Sequence, residues 1–265
     1  MEVYLSATDA ASWVLDESED NRAPYLLQSY FYIRKIKGCF EKAKRVGEKL
    51  IIDSGAHSFQ KGTTAEINWV DYTKEYARWI KENDSDQIVG YFEMDIDEVI
   101  GYEEVLKLRK ILLSVTDKII PVWHKNRGIE EFKNMVKTTK GDFVAITGFG
   151  DSKIDLDIKR SQYPMFVKYA HDHGKKIHGL GLTRFEVLKS VPFDTVDSAS
   201  WTLSAALGGM YGTFQKNGTI KNQPYVKRVK TQFLQRRNFE EWIKVSKYYK
   251  RYWNKYDQKL WGDKK

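Results

Sequence analysis

Three aspartates stand just past apolar, strand-like runs: Asp53 after Leu50-Ile51-Ile52, Asp95 after Tyr91-Phe92-Glu93-Met94, and Asp197 after Thr195-Val196. Carboxylates placed where buried strands emerge can act as nucleophile, as general acid or base, or as oxygen ligands of a cation. In Asp53-Ser54-Gly55-Ala56 the glycine lets backbone approach a ligand with its N–H groups facing a pocket, which makes Ser54 and Gly55 candidate binding residues. Asp95 is flanked by Glu93, Asp97 and Glu98; Asp95 with Asp97 has the i, i+2 spacing of a pair for Mg²⁺ or Ca²⁺, but Asp97 and Glu98 read better as part of a solvated loop. His124, ending Pro121-Val122-Trp123, can donate to a substrate oxygen or titrate near neutrality, and equally can be a structural histidine bonded to backbone. Asp197-Ser198-Ala199-Ser200-Trp201 offers a nucleophile, hydroxyls and an aromatic face for a planar ligand. The same segment also reads as a strand followed by a serine-capped helix. His171 and His173, just before Gly174, fit a helix C-terminus better than a metal site.

Such residues meet only if the chain brings strand ends together. Short β-branched runs at residues 3–5, 49–53, 87–95, 118–124, 142–150, 176–182 and 195–201 alternate with helix-like stretches at 69–83, 101–113, 129–138 and 158–173. Alternation of this kind implies βαβ units and a parallel sheet. Seven strands are visible and an eighth is sought within 212–220, so the expected fold is an α/β, (β/α)8 TIM-like barrel, whose strand C-termini open on one face. The expected division is a barrel over residues 1–220 and a basic, aromatic-rich helical extension over 221–265. That tail holds 14 Lys/Arg against 4 Asp/Glu, so the net charge of +8 arises from −2 before residue 221 and +10 after it. One helix is expected from about residue 239 to 260, with Asn238 as its N-cap. A single cysteine, Cys39, excludes an intramolecular disulfide framework. With no long apolar run and no signal-like start, a soluble cytoplasmic protein with no membrane partner is expected.

The order of segments resembles the queuine/archaeosine tRNA-guanine transglycosylase superfamily, whose barrel exchanges a guanine in nucleic acid for a 7-deazaguanine. Leu50-Ile51-Ile52-Asp53-Ser54-Gly55-Ala56 resembles the strand carrying that family's general acid/base. Glu93-Met94-Asp95 resembles the strand that recognises the purine edge, and Ala145-Ile146-Thr147-Gly148-Phe149-Gly150 the glycine-rich strand end lining the base pocket. Phe193-Asp194-Thr195-Val196-Asp197 matches the segment of the nucleophilic aspartate. No cysteine follows Cys39, so the zinc-bearing insertion of the tRNA-acting members is absent or replaced. The Asp-Ser-x-Ser-Trp ending looks more like the phage-type branch that acts on DNA, which would put the protein in a host cytoplasm.

The resemblance implies a pentosyltransferase that needs no metal and no cofactor. Asp197 would attack C1′, Asp53 would protonate the departing guanine and later deprotonate the 7-deazaguanine, and Asp95 would hold the purine N1–H and amine. The target nucleotide of DNA, or alternatively tRNA, would be flipped, with Trp201 or Phe59 stacking on it and Ser198, His124 and Gly148 lining the pocket. Lys227, Arg228, Lys230, Arg236, Arg237, Lys247, Lys250 and Arg251 would neutralise phosphates. An amphipathic helix packed on the barrel accounts for the tail equally well. Two further readings compete: a metal-dependent barrel hydrolase using Asp95, Asp97 and His124, and a non-catalytic nucleic-acid-binding protein. Homo-oligomers are compatible with all of these.

Overall fold

The computed structural model describes residues 1–16, 25–56, 67–147, 160–224 and 230–261. Its strands are β1 (Glu2–Leu5), β2 (Tyr25–Ser29), β3 (Lys49–Asp53), β4 (Ile88–Phe92), β5 (Ile119–Ile120), β6 (Val122–Trp123), β7 (Phe143–Thr147), β8 (Lys176–Leu180), β9 (Thr195–Ser198), β10 (Met210–Phe214) and β11 (Ile220–Pro224). Its α-helices are α1 (Tyr30–Ile33), α2 (Cys39–Val46), α3 (Trp69–Asn83), α4 (Asp97–Ile100), α5 (Tyr102–Leu113), α6 (Gly128–Thr138), α7 (Tyr163–Asp172), α8 (Phe185–Ser190), α9 (Ser200–Gly208) and α10 (Thr231–Trp261).

Nine parallel segments form one sheet in the order β5-β4-β3-β2-β1-β9-β8-β7-β6. β5 and β6 are consecutive in the chain, parted by Pro121, which has no N–H to give to a ladder. Because β5 pairs with β4 and β6 with β7, this one stretch closes the ring, and the nine segments make eight staves. At the break the Val122 amide donates to Glu93 Oε1 at 2.7 Å, and the Pro121 carbonyl accepts from the Ala145 amide at 2.9 Å. The result is the expected α/β TIM-like barrel.

Alternation along each stave divides the core in two. Tyr4, Tyr25, Leu27, Ile51, Phe92 and Ala145 belong to a cluster filling the lumen, while Val3, Leu5, Leu26, Leu50 and Ile52 pack outward against the helices. Helix α3 shows the outer layer's logic: Asn68 caps it by accepting the Asp71 amide at 3.1 Å, and Tyr72, Tyr76 and Ile80 turn one face into the core.

The eighth stave is β2, and not a segment within 212–220. That later stretch contributes instead to an antiparallel hairpin, β10 with β11, outside the barrel sheet. The composition break at residue 221 falls inside β11. The last helix starts at Thr231, earlier than the expected residue 239, and spans 31 residues. Asn238 therefore lies inside it and caps nothing; its side chain is buried, accepting the Gly212 amide at 2.7 Å and donating to the Met210 carbonyl at 3.1 Å. Helix α10 lies against the barrel through Ser246, whose hydroxyl donates to the Val3 carbonyl at 2.8 Å, and Trp253, whose indole donates to the Leu188 carbonyl at 2.9 Å. Phe239, Trp242, Tyr249 and Trp253 are buried there, each such ring contributing roughly 2–3 kcal/mol by leaving water. Among the described residues no helix is long and apolar enough to cross a membrane.

Candidate functional site

The mouth at the C-terminal ends of the staves collects the predicted acids. Asp53 has the lumen-side parity of Ile51, and Asp197 is in register with lumen-facing Tyr4. Asp95 follows β4 by three residues. The Asp53 carboxylate accepts the Gly55 amide at 2.8 Å. Burial pushes its pKa up, the Gly55 hydrogen bond opposes this, and repulsion from Asp95, Asp9 and Asp197 adds to the rise, to about 7. A carboxyl poised there exchanges protons readily at neutral pH. Gly55 is needed for its backbone: its φ is +76°, and a Cβ would lie 2.4 Å from Phe31 Cβ and 2.8 Å from Ser29 Oγ.

Asp197 Oδ1 accepts the Gly181 amide at 2.8 Å and lies 3.3 Å from Nε2 of His178. His178 is buried in the lumen edge-on to Phe92, with Nδ1 2.8 Å from the Thr195 hydroxyl. On the other side of the mouth, His124 Nε2 meets Asp95 Oδ1 at 2.5 Å and lies 3.9 Å from Asp97 Oδ1. Burial alone would lower the His124 pKa, but the hydrogen bond and field of Asp95, helped by Asp97 and opposed by Arg127, raise it. Arg127 Nε holds Asp97 at 2.9 Å, its guanidinium lies 4.2 Å from the centre of the Tyr102 ring, and its Nη1 donates to the Val122 carbonyl. Nη2 is buried without a hydrogen-bond partner, 3.9 Å from Asp95 Oδ1, so the guanidinium keeps an unused donor beside the acid.

Oxygen or nitrogen atoms of Asp95, Asp97 and His124, one from each, all lie within 4.8 Å of one another. Two carboxylates and an imidazole form a hard to borderline donor set suited to Mg²⁺, Mn²⁺ or Zn²⁺. These residues fit a divalent ion, although Arg127 already neutralises part of their charge.

Several expected binding residues face elsewhere. Ser198 is in register with outward-facing Leu5, and its hydroxyl accepts the Ser200 amide at 3.2 Å, so it does not line the mouth. Trp201 is fully buried, with its indole N–H on the Ser6 carbonyl at 2.8 Å and its ring against Phe239 at 5.1 Å; no face is left to stack on a ligand. Ser54 is buried, its carbonyl accepting from the Tyr72 hydroxyl at 2.7 Å. Glu93 is tied to Arg109 at 2.5 Å and serves the barrel wall. In the tail, Arg236 pairs with Glu240 at 3.4 Å, Arg237 lies over the Tyr211 ring at 4.8 Å, and Lys250 reaches Glu48 at 3.4 Å. Lys230, Lys247 and Arg251 are exposed. Phe59, Gly148, Lys227 and Arg228 lie outside the described residues.

No family model and no curated protein matches the chain. Among solved structures it is similar to an enolase protein from the environmental genome shotgun sequencing of the Sargasso Sea, at 11% identity and a TM-score of 0.44, over 75% of this chain and 54% of that one. It thus spans about half the length of that neighbour. It is also similar to an HpcH/HpaI aldolase/citrate lyase family protein from Burkholderia cenocepacia J2315, at 13% identity and a TM-score of 0.38, over 77% of this chain and 90% of that one. The resemblance to the transglycosylase superfamily is overturned: the barrels found belong to other families, and no family model supports the short motifs that carried it. With it go guanine exchange, the 7-deazaguanine substrate and the phage-type DNA-modification role. The buried Trp201 and outward-facing Ser198 remove two of its proposed base contacts independently.

Three residues that shape this mouth stand out little in the sequence. Asp9, in the loop after β1, is buried and accepts the amides of Ser29 at 2.5 Å and Ala10 at 2.7 Å, which ties β2 to β1 beside Asp53. His178 and Arg127 are the others; His178 lies between Ile177 and Gly179, whereas Arg127 ends the polar stretch His124-Lys125-Asn126-Arg127. For Asp9 and His178 the sequence signal is a polar residue in or just past a strand-like run; Arg127 has no signal of that kind.

Proposed function

We propose that this protein is a divalent-metal-dependent barrel hydrolase. The observation that carries the reading is the convergence of ligand atoms from Asp95, Asp97 and His124 within 4.8 Å at the barrel mouth. An ion held by these three residues supplies Lewis-acid polarisation of a substrate oxygen. Arg127 orients the same substrate through its unmatched buried Nη2, which favours a substrate with an anionic or carbonyl oxygen. Asp53, with a pKa of about 7, takes a proton from water or returns one to the leaving group. Asp197 is fixed by the Gly181 amide at 2.8 Å and by His178 at 3.3 Å, and its repulsion adds to the raised pKa of Asp53.

The raised pKa of His124 means that ion binding must displace a proton, so affinity falls as pH falls. The test is thermal denaturation of chelator-stripped protein with Mn²⁺, Mg²⁺ or Zn²⁺ added, beside hydrolysis of a panel of phosphoesters, carboxylic esters and amides. A rise in Tm with one of these ions that is absent in Asp95→Asn, together with hydrolysis abolished by EDTA, is expected. Hydrolysis that survives EDTA, or a Tm indifferent to all three ions, sinks the reading.

A further inference from the structure

We infer that the opposite end of the barrel carries a second binding site, for a small phosphate-bearing ligand with a planar apolar body. A cavity of about 560 Å³ opens there, within the range typical of small-molecule sites. Glu2, Lys49, Lys176 and Thr195, the first residues of β1, β3, β8 and β9, form its sides, and Lys250 and Trp253 of α10 close over it. Helix α10 therefore completes a pocket that the staves alone would leave open.

The lining has two chemistries. Phe143, Phe193 and Trp253 are buried aromatic rings that give an apolar floor. Around them stand three ammonium groups from three separate elements. Lys49 and Lys250 both lie over the Tyr25 ring, at 5.7 and 5.1 Å, and they pair with Glu2 at 3.0 Å and Glu48 at 3.4 Å respectively. His171, on the rim, is held by Asp194 at 2.8 Å. Lys176 differs: among the described residues it has no carboxylate within ion-pair distance, and its ammonium lies 5.3 Å from the centre of the Phe143 ring. The lining carboxylates Glu2 and Asp194 are taken up by Lys49 and His171, which leaves the Lys176 ammonium as the charge that an anionic phosphate would meet and a neutral ligand would not. Lysine suits a phosphate as a point charge, and the aromatic floor rewards a flat apolar group beside it.

The inference does not depend on the mouth, which lies at the other end of the staves. Isothermal titration with phenyl phosphate, and with inorganic phosphate for comparison, tests it on the full chain. Saturable binding of phenyl phosphate, stronger than that of inorganic phosphate, is expected. Lys176→Ala should weaken it roughly tenfold, as loss of a charge-assisted contact does. Lys250→Ala should weaken it as well, and is the second reading if Lys176→Ala fails to fold. Asp95→Asn, altered only at the mouth, should bind phenyl phosphate as the parent does. Absence of saturable binding, or equal affinity in parent and both lysine variants, overturns the inference; loss of binding in Asp95→Asn alone would move the ligand to the mouth and overturn it too.

Discussion

Replacing Asp53 by asparagine should stabilise the protein above neutral pH and change little in acid. In the folded protein the Asp53 pKa is raised from 3.8 to about 7. Below the unfolded value the carboxyl is protonated in both states, and its pKa contributes nothing to stability. Between the two values the folded state binds the proton more tightly, so stability falls as pH rises, and above about 7 the full penalty of a buried charge is present. A displacement of about three pH units corresponds to about 4 kcal/mol as a ceiling. Asp53 retains some contact with solvent, and the neighbouring acids can share protons with it, which brings the expected gain to roughly 2–4 kcal/mol. Asparagine keeps an oxygen for the Gly55 amide, so the hydrogen bond at 2.8 Å survives the exchange. Urea denaturation of parent and Asp53→Asn at about pH 3 and pH 8, both in chelator so that no cation bears on the acids, reads the difference. The reasoning is refuted by a gain of the same size at both pH values, or by a loss at pH 8.

Two further substitutions probe the frame around the site. Gly55→Ala should cost at least about 2 kcal/mol by urea denaturation, because the residue sits at φ +76° and its Cβ would meet Phe31 and Ser29 well inside contact distance; a neutral result would mean that the loop repacks freely. Arg109→Ala should cost about 3–5 kcal/mol near neutral pH, since it leaves the fully buried Glu93 carboxyl without its bidentate partner at 2.5 and 3.1 Å. The Glu93 pKa is raised by burial despite that arginine, so the cost should shrink as pH falls and the carboxyl takes up a proton. A pH-independent loss in Arg109→Ala would assign the effect to lost packing instead.

The staves that could be read from sequence are those with short runs rich in β-branched residues, such as Leu50-Ile51-Ile52-Asp53. β2 escaped because Tyr-Leu-Leu-Gln-Ser lacks that signature: Gln28 is buried by bonding to Thr8, a residue of a different loop. The acids of the mouth were legible because strand ends are easy to place. Their partners were not, since the Asp95–His124 and Asp197–His178 contacts join separate strands and depend on how the ring closes. Trp201 misled for the same reason. Beside two hydroxyls it looks like a ligand platform, and only the docking of Phe239 from α10 shows it to be core. The tail's cation and aromatic content was plain, but the split between packed rings and exposed charges needed the helix's contacts.

The break at Pro121 has a consequence for how the site is assembled. Asp53 and Asp95 precede the break in the chain, whereas His124 and Asp197 follow it. At that joint a side chain, Glu93, stands in for a strand partner. The Asp95–His124 contact straddles the joint, and β5 and β6, two residues each, are the shortest segments of the wall. The two halves of the molecule can thus each be well packed while the chemistry is absent, because parting the wall there by a couple of ångströms would separate His124 from Asp95. Competence of the mouth is in this sense a gauge of ring closure, and slow amide exchange at Val122 would be its spectroscopic counterpart.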